Sequence, residues 1–440
     1  MSAIGIFRRD EPAFAERLAA IAARAEGDGA GSEVERTVAE ILAQVRAGGD
    51  RALVEITRRL DGVGVAGALE VPRAELAAAE KRLEPEAVKA LRLAARRIAD
   101  FHRRQLTKGW RYRDDSGLLL GQKVQPLERV GVYVPGGRAS YPSSVLMNVI
   151  PAKVAGVAEV IAVSPPSPAS GSYDAVLAAA AISGVDRFFR VGGAQAVAAL
   201  AFGTESVPRV DKIVGPGNVW VQTAKKLVFG RVGIDNFAAA SEVLVIADRT
   251  AHPDWIAADL LSQAEHDEMA SAVCVTDSER IGTAVVEEVG RQVALLAHRE
   301  TAEKALARFG GVFVVRNLEQ AIEVANEIAP EHLELAVVDP ERWLKRVRHA
   351  GAVFLGSLAP EPLGDYLAGP NHVLPTGGTA RFGSPLGVYD FIKRTSVIGG
   401  SRRALERLGP AVVLLATLEG LDAHARAVEI RLRPKKARRR

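Results

Sequence analysis

The hydrophobic residues of this chain follow two spacings. As far as about residue 107, apolar side chains recur every three or four positions, as in Val34, Val38 and Ile41, and this spacing predicts helices. Around residues 109–128 the pattern becomes typical of a hairpin, with the sequence Asp-Asp-Ser-Gly at 114–117 as its turn. We therefore predict a helical N-terminal part followed by a hairpin.

From Arg129 onward, short apolar runs alternate with helical segments. The predicted strands are 130–134, 159–163, 187–191, 212–214, 243–247, 272–276, 312–315, 335–338 and 352–355. The predicted helices are 143–157, 173–183, 194–201, 219–229, 253–266, 278–296 and 318–328. Continuous apolar strands between helices are typical of parallel sheets covered on both faces. We therefore predict two α/β lobes that join near 235–241, and a helical tail after about Gly387, where the strands stop.

The composition is that of an ordinary soluble globular protein, because 48% of the 440 residues are hydrophobic and 25% are charged. The longest apolar stretch, 145–163, is interrupted by Pro151, Lys153 and Glu159, so we predict no membrane span. The N-terminal residues lack the apolar segment of a signal peptide. Cys274, the single cysteine, lies in an apolar run, which indicates a buried thiol and a reducing, cytoplasmic location.

The C-terminal residues explain the net charge of +4, since seven of the last ten residues, 431–440, are Lys or Arg and none is acidic. A basic tail could contact nucleic acid or an anionic surface. This tail has no aromatic residues among its charges, and the rest of the chain is mildly acidic. We therefore interpret it as a solvated terminus and expect neither a nucleic-acid nor a membrane partner.

Residues 261–268 (Leu-Ser-Gln-Ala-Glu-His-Asp-Glu) bring an amide, several carboxylates and an imidazole together at the end of the predicted helix 253–266. Gln263 and His266 are three positions apart, so on a helix they share a face and can supply two ligands to one divalent metal ion. The alternative is a solvated acidic helix end that carries a capping histidine.

Three glycine-rich turns follow predicted strands, at Gly136, Gly192 and Gly215. Ligands of open α/β sheets bind beyond the carboxyl ends of the strands, where glycine lets the backbone approach them. Two of these turns also begin helices whose N-termini suit a phosphate group. None has the spacing GxGxxG, and ordinary strand-to-helix turns also use glycine. Together the three turns favour a dinucleotide site over simple turns.

Four histidines lie beside carboxylates or in Gly/Pro-rich loops: His266, His332, His372 and His424. The pair Glu331–His332 stands at the start of a strand, where it could move protons near neutral pH. A long polar loop adds Asp365 and His372.

Glu419 and His424 lie on the predicted tail helix about 140° apart, so as a pair they are a weak signal. A metal set of Gln263, His266, Asp365 and His424 would offer nitrogen and oxygen ligands, which suits zinc or a similar ion. From these residues alone we predict a dinucleotide- and metal-dependent α/β enzyme.

Six long motifs carry a resemblance to the histidinol dehydrogenases, and the similarity runs from about Val34 to Val428. The motifs are VYVPGG at 132–137, YPSSVLMN at 141–148, VGGAQA at 191–196, IVGPGN at 213–218, SQAEHD at 262–267 and GPNHVLPT at 369–376. The resemblance implies oxidation of L-histidinol to L-histidine through L-histidinaldehyde, with two NAD+ consumed per turnover and one Zn2+ per subunit.

The resemblance also implies the roles of individual residues. It implies that zinc is bound by Gln263, His266, Asp365 and His424. His332 would be the base that takes the hydroxyl proton, and Glu331 would activate water for attack on the aldehyde. The implied substrate contacts are Ser241, Gln263, His266, His332, Asp365, His372, Glu419 and His424. The implied NAD contacts are Tyr133, Gln195 and Asn218.

For the fold, the resemblance implies two Rossmann-like, aldehyde-dehydrogenase-like lobes. We expect an N-terminal helical segment at 1–30, a catalytic and metal-binding lobe at 31–130 with 241–386, an NAD-binding lobe at 131–240, and a helical tail at 387–440. The family's homodimers, in which the tail reaches the partner's site, would account for the awkward spacing of Glu419 and His424.

One departure leaves an alternative open. The family usually has Ala-Gly-Pro-Ser-Glu where this chain has Ala-Ala-Ala-Ser-Glu at 238–242, so Gly and Pro are replaced by Ala239 and Ala240 beside Ser241. The competing hypothesis is therefore a zinc- and NAD-dependent dehydrogenase of another small polar alcohol. A more remote one is a non-enzymatic nucleic-acid binder that uses the basic tail, whose binding would be sensitive to salt.

Overall fold

The computed structural model describes residues 4–24, 32–61, 69–136, 141–166, 170–236 and 240–433. The chain forms two compact units, of which the first comprises Met1–Gln105 with Leu127–Phe391, and the second Leu106–Pro126 with Ile392–Arg440. Within the described ranges, no helix is both long and apolar enough to cross a membrane.

The elements alternate as expected for an α/β protein. The strands are β1 (Ile6–Arg8), β2 (Trp110–Arg113), β3 (Leu119–Pro126), β4 (Arg129–Tyr133), β5 (Glu159–Ser164), β6 (Arg187–Arg190), β7 (Lys212–Val214), β8 (Gly233–Ile234), β9 (Glu242–Ala247), β10 (Ser271–Thr276), β11 (Gly310–Val314), β12 (His332–Ala336), β13 (Ala352–Leu355) and β14 (Ile392–Gly399). The helices are α1 (Pro12–Ala22), α2 (Ser32–Asp61), α3 (Arg73–Ala79), α4 (Pro85–Arg103), α5 (Pro142–Ala155), α6 (Ser170–Ser183), α7 (Gly193–Phe202), α8 (Val219–Val228), α9 (Pro253–Ala264), α10 (Glu279–Val293), α11 (Arg299–Phe309), α12 (Leu318–Ile328), α13 (Pro340–Leu344), α14 (Glu361–Leu363), α15 (Arg402–Leu418) and α16 (Asp422–Leu432).

The first unit contains two parallel sheets. Among the described residues, one sheet has six strands in the order β1-β11-β10-β9-β12-β13, and the other has five in the order β6-β5-β4-β7-β8. In β9, Val243 and Val245 belong to a core cluster with residues of α9 and α10, whereas Leu244 and Ile246 belong to one with residues of α1 and α12. The larger sheet is therefore covered on both faces, and the predicted α/β class with parallel sheets is confirmed.

The smaller sheet packs against α2, α7 and α8 through a third core cluster that includes Val38, Val197 and Val221. Cys274 is buried in the larger sheet, and burial raises the pKa of its thiol to about 12. The predicted buried thiol is therefore confirmed.

The second unit is built on the predicted hairpin. β2 and β3 pair antiparallel, and the turn between them contains a hydrogen bond from the Gly117 N–H to the Asp114 carbonyl oxygen at 3.0 Å. β14 pairs antiparallel along all of β3, and α15 and α16 follow it. The prediction that the strands stop after about Gly387 is therefore wrong. Most of β14 is exposed, so it lacks the apolar run by which a buried strand is detected in sequence.

Three further predictions need correction. The N-terminal residues are not all helical, because Ile6–Arg8 is the edge strand β1, which pairs in parallel with β11 and is too short for a period to show. The predicted strand 335–338 begins too late, since β12 begins at His332. The predicted helix 253–266 ends at Ala264, so His266 lies just beyond α9.

Candidate active site

The acid–imidazole pair stands at the start of β12, as predicted. Helix α12 ends at Ile328, and Ala329 adopts the left-handed backbone conformation (φ 53°) that commonly ends helices. Glu331 follows, and His332 is the first residue of β12, with its backbone paired between β9 and β13. Both side chains are buried. The pair therefore lies at the amino edge of the six-stranded sheet on a backbone that two neighbouring strands hold in place.

The imidazole of His332 has one satisfied and one unsatisfied nitrogen. Nδ1 lies 2.9 Å from the backbone carbonyl oxygen of Glu242, which can only accept, so Nδ1 carries a hydrogen. Nε2 is buried without a hydrogen-bond partner, 3.7 Å from Oδ1 of Asp365. Burial by itself would lower the pKa of His332, but the carboxylates of Glu331, Asp365 and Glu361 outweigh it and raise the pKa to about 10. In its neutral form the ring offers Nε2 as the proton acceptor.

Glu331 is bound reciprocally to Glu242. Its Oε2 accepts a hydrogen bond from the backbone N–H of Glu242 at 2.9 Å, and its own N–H donates to Oε2 of Glu242 at 3.2 Å. Burial raises the pKa of Glu331 to about 8, against the opposing effect of the His332 imidazole. A carboxyl group with such a pKa can both accept and release a proton near neutral pH.

Glu361 completes the cluster, and sequence reasoning missed it. It is buried, it accepts a hydrogen bond from Ser262 Oγ at 3.3 Å, and burial raises its pKa to about 7. The amide of Gln263, in the orientation that satisfies its neighbours, donates to both carboxylate oxygens of Glu361 at 3.0 Å. In the sequence the residue is an acid between two prolines, shortly before Asp365, and nothing in that pattern separates it from an ordinary loop acid.

The donor set at this edge fits a divalent cation. One ligand atom each from His332, Glu361 and Asp365 lies within 4.8 Å of the others, and the described residues hold no other such group of three. Several buried carboxylates face one imidazole here, and the unpaired Nε2 of His332 points to a missing partner. Nitrogen and oxygen donors of this kind suit zinc or a similar ion.

The predicted metal ligands are brought together in part. Asp365 lies in a π-helical turn, Gly364–Ala368, and although burial tends to raise its pKa, the imidazoles of His332, His372 and His266 keep it below the usual value. Gln263 is buried at the end of α9, and His266 is exposed just beyond it. Asp365 therefore belongs both to the acid cluster and to the predicted ligand set. The predicted ligand Gln263 contacts the cluster through Glu361.

Two predicted substrate contacts flank this cluster. Nδ1 of His372 lies 3.1 Å from the carbonyl oxygen of Asp365, and burial lowers the pKa of His372. Ser241 is partly buried immediately before β9, and its carbonyl oxygen accepts from the Ser271 N–H at 3.0 Å. Of the two alanines that replace Gly and Pro beside it, Ala239 lies outside the described residues.

Glu419 and His424 belong to the second unit. Glu419 directly follows α15, where Gly420 (φ 70°) turns the chain, and His424 lies in the first turn of α16. Both side chains are exposed. Their proposed ligand and substrate roles remain predictions.

The predicted nucleotide contacts stand at the carboxyl edge of the five-stranded sheet. Tyr133 ends β4, and its hydroxyl accepts a hydrogen bond from the Gly193 N–H at 3.1 Å, at the start of α7. The buried amide of Gln195 lies 3.4 Å from Oδ2 of Asp61, and its Oε1 has no hydrogen-bond partner. Asn218 caps α8, since its Oδ1 accepts from the Val221 N–H at 3.2 Å.

A buried ion pair holds the third glycine turn. Gly215 has a φ of 113°, and a Cβ at this position would lie 2.2 Å from the backbone oxygen of Tyr133. Its N–H donates to Asp235 at 2.7 Å, and its carbonyl oxygen accepts from Lys225 Nζ at 3.0 Å. Lys225 and Asp235 are themselves paired and almost fully buried. The turn is therefore fixed from both sides by one compensated pair of charges.

Comparisons with known proteins agree over nearly the whole chain. The sequence model of the family described as histidinol dehydrogenase matches residues 24–432. A histidinol dehydrogenase of Syntrophotalea carbinolica is 59% identical over 96% of this chain and 98% of its own length, and one of Aquifex aeolicus is 54% identical over the same shares. A crystal structure of histidinol dehydrogenase from Elizabethkingia anophelis superposes with a TM-score of 0.92 at 33% identity, covering 98% of each chain.

Proposed function

The chain belongs to the histidinol dehydrogenase family of oxidoreductases, and we propose that it oxidises L-histidinol to L-histidine through L-histidinaldehyde. In this proposal each turnover consumes two NAD+, and each subunit binds one zinc ion. The observation that carries this proposal is the buried Glu331–His332 pair, in which one imidazole nitrogen is anchored and the other is free beside Asp365. A two-step oxidation needs a proton acceptor for the alcohol and a second one for water, and the pair supplies both.

Zinc would be held by Gln263 and His266 from the end of α9, by Asp365 from the π-helical turn, and by His424. When bound, it would hold the amino and imidazole nitrogens of the substrate and offset the carboxylate charge that raises the pKa of His332. The buried carboxylate of Glu361 and the partly buried one of Asp365, beside Gln263, support a cation at this edge, and the unpaired Nε2 of His332 stays available to accept a proton.

In the first oxidation, His332 accepts the hydroxyl proton at Nε2 while the carbon atom would release its hydride to the first NAD+. The carbonyl of Glu242 favours this assignment, because it keeps the ring hydrogen on Nδ1. In the second oxidation, Glu331 takes a proton from the water that attacks the aldehyde. The resulting hydrate would release its hydride to the second NAD+ and a further proton to solvent as it becomes the carboxylate. Its raised pKa of about 8 suits a group that exchanges a proton in each turnover.

NAD+ would bind at the carboxyl edge of the five-stranded sheet through Tyr133, Gln195 and Asn218. The glycine turns at this edge let the backbone approach a ligand, and the N-termini of α7 and α8 suit a pyrophosphate. The unpaired, buried Oε1 of Gln195 supports a ligand that donates a hydrogen bond there.

We further propose a cytoplasmic homodimer in which Glu419 and His424 of one tail complete the site of the partner subunit. Helix α15 supports an interface, because it exposes several large apolar side chains. They are Leu408, Val412, Leu414, Leu415 and Leu418.

The test is NADH production from L-histidinol, measured with the bound metal first stripped by a chelator and then restored as zinc. We expect two NADH per histidine formed, loss of activity on chelation and recovery with zinc. Magnesium serves as the control ion and should not restore activity, since it prefers oxygen ligands.

The replacement of Gly and Pro beside Ser241 leaves one alternative open, a zinc- and NAD-dependent dehydrogenase of another small polar alcohol. A folded, zinc-loaded dimer that oxidises such an alcohol and leaves histidinol unchanged would establish it in place of the first proposal.

A further inference from the structure

We propose that Glu242, paired with Arg24, is the residue that positions the Glu331–His332 pair for catalysis. Glu242 itself contacts neither substrate nor cofactor in this proposal, which rests on the catalytic roles proposed for Glu331 and His332. Three observations support this role. Glu242 contacts both residues of the pair, its charge is compensated by Arg24, and Arg24 comes from a distant part of the chain.

The first observation is that Glu242 bonds to both members of the pair. Its backbone N–H and one carboxylate oxygen form the reciprocal bonds with Glu331, at 2.9 and 3.2 Å. Its backbone carbonyl oxygen accepts a hydrogen bond from Nδ1 of His332 at 2.9 Å. Glu242 begins β9 and His332 begins β12, so these bonds link the ends of two adjacent strands at the point where the chemistry is proposed. A shift of Glu242 would therefore move both side chains.

The second observation is that the carboxylate of Glu242 is fully engaged. Oε1 accepts from the Gly377 N–H and is paired with the Arg24 guanidinium, while Oε2 accepts from the Glu331 N–H. The two charged side chains are only 5% and 1% exposed. A buried carboxylate without a paired cation is strongly destabilising, so Arg24 allows Glu242 to occupy this position. Both carboxylate oxygens of Glu242 are therefore already bonded within the protein.

The third observation is that Arg24 comes from a distant part of the chain. It lies in the turn that ends α1, and its guanidinium also donates to the Ala240 carbonyl oxygen at 3.3 Å. The turn after the N-terminal helix therefore supplies the cation for Glu242, and it also contacts the residue just before Ser241. A single guanidinium nitrogen, Nη2, makes both contacts, with Oε1 of Glu242 and with the Ala240 carbonyl oxygen.

The experiment compares Glu242→Gln, Arg24→Met and the double variant by steady-state kinetics and by thermal unfolding. We expect Glu242→Gln to lower kcat about 10- to 100-fold with little change in the KM for histidinol. The single amide oxygen of Gln is held by the Arg24 and Gly377 donors, so the Glu331 N–H then faces an NH2 group and the pair is displaced. Arg24→Met should lower both stability and kcat, since it leaves the Glu242 charge unpaired. The double variant should regain stability, while its kcat should remain as low as that of Glu242→Gln.

A purely structural role predicts the opposite, namely that activity follows stability and returns in the double variant. That outcome would overturn the proposal. Asp186→Asn is the matched control, because it breaks the Lys153–Asp186 ion pair at the other sheet. It should lower stability and leave kcat unchanged.

A second readout does not depend on turnover. The chemical shifts of the His332 Nδ1–H group, assigned by their loss in His332→Asn, should report a hydrogen bond to the Glu242 carbonyl oxygen in the wild type and a weakened one in Glu242→Gln. An unchanged hydrogen bond together with an unchanged kcat would overturn the positioning role. If the wild type oxidises no histidinol, the proposed function fails, and this hydrogen-bond measurement by itself then decides for or against the role of Glu242.

Discussion

The amino edge of the six-stranded sheet and the carboxyl edge of the five-stranded sheet are built by opposite means. The first concentrates charged side chains, with Glu331, His332 and Glu361 buried together. The second relies on backbone turns, in which Tyr133 binds the Gly193 N–H and Gly215 is fixed by its own amide and carbonyl. Ligands of open α/β sheets bind at carboxyl edges, so the second edge follows the general rule and the first departs from it.

The difference also appears in the electrostatics. At the amino edge of the six-stranded sheet, which we call the charged edge, burial raises the pKa values of Glu331 and Glu361 to about 8 and about 7. Protons can therefore move among these groups near neutral pH. At the carboxyl edge of the five-stranded sheet, which we call the turn-built edge, the buried charges of Lys225 and Asp235 are paired with each other and hold the backbone of Gly215. We infer that the first edge is organised for proton transfer and the second for holding a ligand.

The substitution Glu331→Gln should break the charged edge most clearly. We expect the second oxidation to slow by about 10²- to 10⁴-fold, because water loses its proton acceptor, while the first hydride transfer is spared. Single-turnover NADH formation from histidinol and from histidinaldehyde separates the two halves. His332→Asn is the counterpart and should slow the first half. Equal loss of both halves in Glu331→Gln would contradict this division of labour.

The substitution Gly215→Ala should break the turn-built edge. The new Cβ meets the Tyr133 backbone oxygen at 2.2 Å in a left-handed backbone conformation, so we expect a loss of about 2 kcal/mol or more in the free energy of unfolding, together with weaker NAD+ binding. Urea unfolding and the KM for NAD+ measure the two effects. Gly230→Ala is the control, because Gly230 has a φ of 91° but nothing within 4 Å of its Cβ position. Equal losses in both variants would show that the close contact has no effect.

The substitution Tyr133→Phe tests whether the two edges have separate roles, and it should have the smallest effect of the three substitutions. It removes the acceptor of the Gly193 N–H, a bond of about 1 kcal/mol, so we expect the KM for NAD+ to rise several-fold and the KM for histidinol to stay constant. Tyr389→Phe, at an exposed tyrosine, is the control and should change neither constant. A rise in the KM for histidinol of the same size would argue against separate roles for the two edges.

Much of the fold could be predicted from the sequence because buried parallel strands are apolar along their whole length. The predicted strands 243–247 and 272–276 lie within β9 and β10, whose residues are all buried, and the hairpin turn at 114–117 forms as expected. The edge strand β1 and the exposed strand β14 were not predicted. Both depend on pairing partners far away in the sequence, which a local pattern does not contain.

The sequence by itself determined the α/β alternation, the glycine turns, and the position of Glu331 and His332 at the start of a strand. These features follow from local spacing and from the residue types that each turn or strand accepts. Only the tertiary structure decided that Glu361 joins Asp365 and His332 in one cluster, and that Arg24 reaches Glu242 from the turn after the N-terminal helix. An acid or a cation on a loop has the same sequence signature whether it is solvated or buried, and burial against a partner more than 200 positions away arises only when the sheet assembles.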